Sequence, residues 1–210
     1  MQLPILAGFA RGSSTLPRPS VSPSDLTTVR PAPQRYAPQT LLKSQRFTVE
    51  KRVFMRAGRP AWEREYVVHP GSVVILPLQG GHRVVMNRQV RPAVEVELLE
   101  LPAGTLEANE DPADTARREL REETGYIAGR IEPMLEFYPS PGFITERMRV
   151  FIAGDLKEGE QDLDDGEQIK VEIVSLDDIR RKLLDGEFRD GKTIAVLTTY
   201  LLQLDAGRRT

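Results

Sequence analysis

The chain has 210 residues, enough for one large domain, and its 29 basic residues against 31 acidic ones give a net charge of −2. That balance argues against a general nucleic-acid binder, which carries a basic excess or patch. With no cysteine and only His69 and His82, disulfides, thiolate chemistry and histidine-rich metal centres are excluded, so any metal must be held by oxygen.

The first forty or so residues read as a leader, residues 1–41. Pro17, Pro19, Pro23, Pro31, Pro33 and Pro38 are mixed with Ser, Thr and Arg, and no hydrophobic period holds. The apolar run Leu3 to Ala10 is short, broken by Pro4 and lacks a basic flank. No stretch reaches the ~20 apolar residues of a membrane span. A soluble, cytoplasmic protein with no membrane partner is expected.

From Arg46 the pattern predicts strands. Phe47, Val49, Val53 and Met55 alternate with polar residues, a turn follows at residues 57–60, and Trp62 to Val68 returns as the second arm of a hairpin, giving an N-terminal hairpin region over 42–70. Ser72–Leu76 is a buried-strand run. Gly80-Gly81 turns into Arg83–Met86, and Val94–Leu98 alternates cleanly. Asp111-Pro112 places a cap and an N1 proline, and Gly125 a C-cap, bounding a helix over 112–124. Strands are predicted at Met134–Phe137, Arg149–Ile152 and Ile169–Val174, then helices at Leu176–Leu184 and Thr193–Leu204. This order fits a mixed α/β domain built on one dominant sheet, over 71–210.

The helix over 112–124 is the most informative element. At 100° per residue, Glu119, Glu122 and Glu123 fall within one arc of about 100°, beside an apolar stripe of Ala113, Ala116 and Leu120. Acids at i, i+3 and i+4 repel one another by a few tenths of a kcal/mol per pair, so stability alone does not favour them. A solvated charged face is the bland alternative. A hard divalent cation would remove the repulsion, and the loop Pro102-Ala103-Gly104 can add a carbonyl oxygen.

The spacing Gly104, five residues, Glu110, seven residues, then Arg118-Glu119-Leu120-x-Glu122-Glu123-x-Gly125-Tyr126 resembles the Nudix box of the Nudix hydrolases. The final apolar position, held by Tyr126, is a mild departure. Downstream, Ser140-Pro141-Gly142 lies in a segment running to Thr145-Glu146-Arg147, with Pro141 sixteen residues past Gly125; this is similar to the ADP-ribose pyrophosphatase subgroup. Arg88-Gln89-Val90-Arg91-Pro92, Glu100-Leu101-Pro102-Ala103-Gly104 and Asp190-Gly191-Lys192-Thr193 are similar to it too.

The resemblance implies an α/β/α sandwich with a mixed sheet, and Mg²⁺-dependent hydrolysis of ADP-ribose to AMP and ribose 5-phosphate, with Mn²⁺ able to substitute. It implies Glu119 and Glu123 as principal metal ligands, Glu122 in support, the Ala103 carbonyl completing the site, and Arg118 and Glu110 as braces. Arg91 would contact the diphosphate, and Glu146 the substrate or metal, with Ser140, Pro141 and Gly142 lining the substrate. In the late acidic loop Asp165 matches the general base and Glu167 a further metal ligand; the family more often has glutamate at the base position, so Glu167 or a box glutamate stays open as the base. It further implies a homodimer in which the N-terminal hairpin crosses to the partner, with Phe47 stacked on adenine, Arg46 beside it and Arg64 at a phosphate or the terminal ribose. Phe47 as plain core is the alternative. Other nucleoside diphosphate sugars such as GDP-mannose, and a non-hydrolytic ligand sensor, are the competing functions.

Overall fold

A computed structural model describes residues 38–56, 59–164 and 166–209. It opens with a three-stranded antiparallel sheet of β1 (Gln39–Lys43), β2 (Thr48–Arg56) and β3 (Arg59–Val68). The predicted hairpin is β2–β3. The additional strand β1 begins at Gln39, inside the stretch read as leader. Phe54 and Trp62 face each other across β2–β3 and stack at 5.3 Å, with Tyr66 edge-on to Phe54 at 5.9 Å. Such cross-strand aromatic pairs stabilise a small antiparallel sheet.

The second sheet is mixed. Its strand order is β10 (Ile169–Ser175), β5 (Arg83–Arg91), β4 (Ser72–Gln79), β9 (Met148–Glu158), β8 (Tyr126–Phe137), with β6 (Val96–Glu100) on β5 and β7 (Ala103–Thr105) on β4. Among the described strands of this sheet only β4–β9 pair in parallel. The continuous apolar run of β4 has a simple cause, because its two faces serve two cores. Val73, Ile75, Val85, Phe151 and Ala153 point to one side, where Ala116 and Leu120 of helix α1 (Pro112–Thr124) cover them. Val74, Leu76, Val84, Met86, Val150 and Ile152 point to the other, under Ile179 of α2 (Leu176–Leu184) and Val196, Leu197 and Tyr200 of α3 (Gly191–Asp205). Each such Val, Leu or Ile, fully buried, contributes about 1.5–3 kcal/mol. The result is the helix–sheet–helix layering expected from the resemblance.

Strand β7 lies where a loop was expected, and two other departures from expectation have a local cause. The strand predicted at Val94–Leu98 lies at Val96–Glu100, because Val94 and Glu95 both donate to the Arg91 carbonyl in the turn that precedes it. The strand predicted from Met134 begins at Tyr126, an edge strand whose register slips between Pro133 and Leu135; proline is tolerated there because one side of the strand is unpaired.

Two features position the site. The first is a fork: β4 pairs β5 only at Leu78 and Gln79, while its other end, Ser72–Val74, pairs β7. The prongs β5 and β7 therefore part in front of α1. The second is the junction between the sheets, where Val67 donates to Phe143 O at 2.8 Å and Thr145 donates to Val67 O at 2.9 Å. No helix among the described residues is long and apolar enough to cross a membrane.

Candidate active site

Helix α1 starts and stops where its sequence says. Asp111 caps it, accepting from Ala113 N at 2.8 Å, and Gly125 ends it at φ 75°, donating to Arg121 O. A β-carbon at Gly125 would also come within 3.1 Å of the Gly159 carbonyl. The fixed ends set the rotation that sends Glu123 into the fork. Its Oε2 accepts from Asn87 Nδ2 on β5 at 2.8 Å and from Ala103 N on β7 at 3.1 Å, and the residue is 5% exposed. The carboxylate thus bridges the two prongs.

Arg118 organises the others. Its Nε and Nη2 donate to Glu110 at 3.0 and 3.2 Å, while Nη1 reaches Glu122 at 2.8 Å and Glu119 at 2.9 Å. Glu110 also accepts from Glu107 N at 3.3 Å, tying helix to loop. Gly104 is glycine for a spatial reason: a β-carbon there would stand 1.8 Å from the Glu119 carboxyl carbon. A Gly104→Ala protein is therefore expected to displace Glu119 and to lose about 10²-fold in turnover, the usual cost of an ångström-scale misplacement; steady-state kinetics beside a thermal melt checks this.

Burial pushes the Glu123 carboxyl up to about 8, with the neighbouring Glu119 charge adding to it, and pushes Glu119 up to about 7 against the pull of Arg118. The charge of Glu167 acts in the same direction on both. Hydrogen bonding to Glu110 stabilises charged Arg118 most. A buried and a half-buried carboxylate that both resist ionising are a pair that a hard cation would compensate, and every donor here is oxygen. The set fits a divalent ion in its chemistry, and Gly104 gives the Glu119 carboxylate the room to lie beside Glu123.

The expected ligands are not all gathered, however. Among the described residues no group of three or more acidic or histidine side chains stands ready to hold a metal. Glu122 is turned to Arg118, Ala103 presents its N–H to Glu123, and Glu167 is exposed, its Oε2 accepting from Asp164 N at 3.3 Å. Asp165 lies outside the described residues. Its loop is pinned to the end of α1, since Gln161 Nε2 donates to Glu123 O at 2.6 Å and Asp162 N to Glu122 O at 3.0 Å.

The expected substrate contacts fall in three places. Arg91 is bidentate on Glu100, at 2.9 and 2.7 Å. Glu146 accepts from Ser72 Oγ at 2.8 Å, close to His69 Nδ1 at 3.8 Å, and Ser140-Pro141-Gly142 forms the turn leading into the sheet junction, with Ile144 donating to Ser140 O. Arg46 and Phe47 sit at the β1–β2 turn, held by Ser44 Oγ, and Phe47 is 40% exposed, which corrects the core alternative. Arg64 is exposed and bonds its neighbour's carbonyl, Glu63 O. A cavity of about 490 Å³ lies elsewhere, lined by Arg88, Leu99, Lys182 and Phe188 among others, and contains none of the α1 glutamates.

A sequence profile of the NUDIX domain matches residues 68–197. The chain belongs to the Nudix hydrolase family. It is 41% identical over 135 residues to an ADP-ribose pyrophosphatase of Bacillus subtilis, covering 63% of this chain and 73% of that protein. It is 35% identical over 136 residues to a GDP-mannose pyrophosphatase of Citrobacter koseri, covering 60% and 71%. The solved structure of an ADP compounds hydrolase superposes with a TM-score of 0.71 at 21% identity, over 85% of this chain and 97% of that one, and supports the fold. Nudix hydrolases generally use divalent metal ions, in keeping with the all-oxygen donors around Glu119 and Glu123.

Asn87, Gln161 and Ser72 of this Nudix hydrolase belong to none of the sequence motifs, yet they bond Glu123, the Glu123 carbonyl and Glu146 respectively. Asn87 is wholly buried and its Oδ1 has no partner among the described residues, an unusual state for a polar atom in a core. Its signal was present as one polar residue ending the apolar run Val84–Met86. The partner, Glu123, lies 36 positions away.

Proposed function

We propose that this Nudix hydrolase cleaves the diphosphate of ADP-ribose with water, releasing AMP and ribose 5-phosphate, with Mg²⁺ as its working cation and Mn²⁺ as a substitute. The observation that carries the reading is the carboxylate of Glu123 held in the β5–β7 fork beside Glu119, in a chain 41% identical to an ADP-ribose pyrophosphatase.

In this reading Glu119 and Glu123 hold the cation, with Glu122, Glu167 and the Ala103 carbonyl completing its shell. A divalent ion there supplies charge neutralisation for the diphosphate and a lowered pKa for water. The protein does the rest. Arg118 fixes Glu119 and Glu122 against their mutual repulsion, while Asn87 and the Ala103 N–H hold Glu123. Arg91 offers guanidinium N–H groups to phosphate oxygens, which suit its planar fork. Asp165 takes the proton from the attacking water, with Glu122, Glu123 or Glu167 as alternates. Ser140, Pro141, Gly142 and Glu146 line the ribose side, at the junction of the two sheets.

The protein acts in the cytoplasm as a homodimer, its N-terminal sheet reaching the partner so that Arg46, Phe47 and Arg64 cover the adenosine. Support comes from the apolar exposure of that sheet, where Leu41, Leu42, Phe47 and Trp62 are each 40–49% exposed. Residues 42–70 then form the exchanged region and 71–210 the hydrolase unit. Hydrolysis of another nucleoside diphosphate sugar, such as GDP-mannose, is the second reading, favoured by the Citrobacter koseri relative.

Chromatographic product analysis separates them. With Mg²⁺ and a panel of ADP-ribose, ADP-glucose, GDP-mannose, NADH, diadenosine polyphosphates and 8-oxo-dGTP, fast release of AMP and ribose 5-phosphate from ADP-ribose is expected, and chelation should stop it. Faster GDP-mannose turnover moves the substrate and keeps the chemistry. Turnover that survives chelation sinks the metal reading.

A further inference from the structure

We propose that Glu100 and Lys192 are positioning residues for Arg91, together holding its guanidinium so that one edge stays free for a diphosphate. The inference rests on the reading of Arg91 as a phosphate contact and deepens it. Glu100 ends β6 and is 1% exposed, yet it is charged and faces two cations. Arg91 Nε and Nη2 donate to its two oxygens at 2.9 and 2.7 Å, and Lys192 Nζ, from the first turn of α3, donates to Oε2 as well. Lys192 also pairs with Asp190 at 3.0 Å. Burial alone would raise the Glu100 carboxyl, but its bonds to Arg91 and Lys192 together hold it below the ordinary range.

Stability does not require this arrangement, since well-packed apolar side chains of like volume generally serve a core as well. What the arrangement does is orient. The bidentate bond occupies two of five guanidinium N–H groups and leaves the Nη1 pair unspent. Arg91 itself is 39% exposed while its anchor is sealed, and its charge is felt at the Glu123 carboxyl. The same turn of α3 holds the next residue: Thr193 Oγ1 accepts from Leu101 N at 2.9 Å and donates to Asp190 Oδ2 at 2.6 Å. Two positions later comes Ala103, whose N–H meets Glu123. The start of the last helix, 92 positions from Glu100, thereby sets both the arginine and the strand that cradles the glutamates.

A double-mutant cycle tests this. Wild type, Lys192→Met, Arg91→Ala and the double variant are titrated with the α,β-methylene analogue of ADP-ribose, whose bridging carbon resists hydrolysis, in the presence of Mg²⁺. Thermal midpoints and the ¹H–¹⁵N signal of the Arg91 Nε–H are recorded alongside. Lys192→Met is expected to weaken binding about tenfold in the parent and less than about twofold in the Arg91→Ala background, with Lys192→Arg restoring it. The Nε–H signal should shift in Lys192→Met and in Glu100→Gln, the second variant if the first folds poorly. Equal losses in both backgrounds would overturn the proposal. If the parent does not bind the analogue, the ADP-ribose reading fails, and the Nε–H signal alone decides: a shift in Lys192→Met supports positioning, and an unchanged signal refutes it.

Discussion

A Glu123→Gln protein is expected to fold as the parent does and to lose about 10³-fold in kcat with ADP-ribose. The fold is spared because glutamine keeps the shape of the side chain, and its carbonyl oxygen can still accept from Asn87 Nδ2 and Ala103 N, the two bonds that seat Glu123 in the fork. The loss follows from charge. In the proposed cation site a neutral amide would withdraw one of two anionic oxygen donors, and metal-assisted charge stabilisation is worth several kcal/mol, each ~1.4 of which is a factor of ten in rate. The substitution also removes a buried carboxyl that resists ionising, so the metal-free variant should melt no lower than the parent at pH 8. Kinetics with Mg²⁺ and thermal unfolding without it check both halves. Full activity in the variant would remove Glu123 from the cation site. A collapse of the melt would show that Glu123 is chiefly structural.

What could be read in advance divides along contact range. The helix over 112–124 was legible because its cap, proline, apolar stripe and C-terminal glycine all act within a few residues. The brace role of Arg118 comes from the family resemblance, and its partners are also close in sequence: Glu122 is four positions on and Glu110 eight back. The strands at Ser72–Leu76 and Arg83–Met86 were legible because burial on both faces leaves an unbroken apolar run. Strand β1 was not, since all five of its residues are exposed and its partner β2 lies outside the main core, so no period marks it. Gly104 could be seen as part of a glycine-bearing loop, but not that it is a strand residue with Glu119 packed over it; that needs the fork in β4. Lys192 stood out only as part of the Asp190–Thr193 resemblance, and its pairing with Glu100 was not legible. Its partner is 92 positions away, and a lysine beginning an amphipathic helix looks like any solvated charge until the helix is docked.

The stability of the metal-free protein should fall as pH rises from about 5 to about 8, and added Mg²⁺ should reverse the fall most strongly at the upper end. Glu119 and Glu123 have folded-state values near 7 and 8 against an ordinary 4.5, so through this window the folded chain holds protons that the unfolded chain has released. Stability from a raised carboxyl is complete below its unfolded value and is lost as pH climbs through the folded one. The acids held low by arginine or lysine, Glu100, Glu110 and Glu172 among them, act oppositely but have finished titrating below this range. The unfolding midpoint is expected to fall by several degrees or more across this window. A cation competes with those protons for the same oxygens, so its stabilisation grows as they leave. Melts in EDTA and in Mg²⁺ at half-unit pH steps test both signs. A flat midpoint in EDTA would mean that the two carboxylates are already ionised and solvated at pH 5, and that the fork around Asn87 and Ala103 does not shield them. A metal-induced rise equal at pH 5 and pH 8 would place the cation away from these two glutamates.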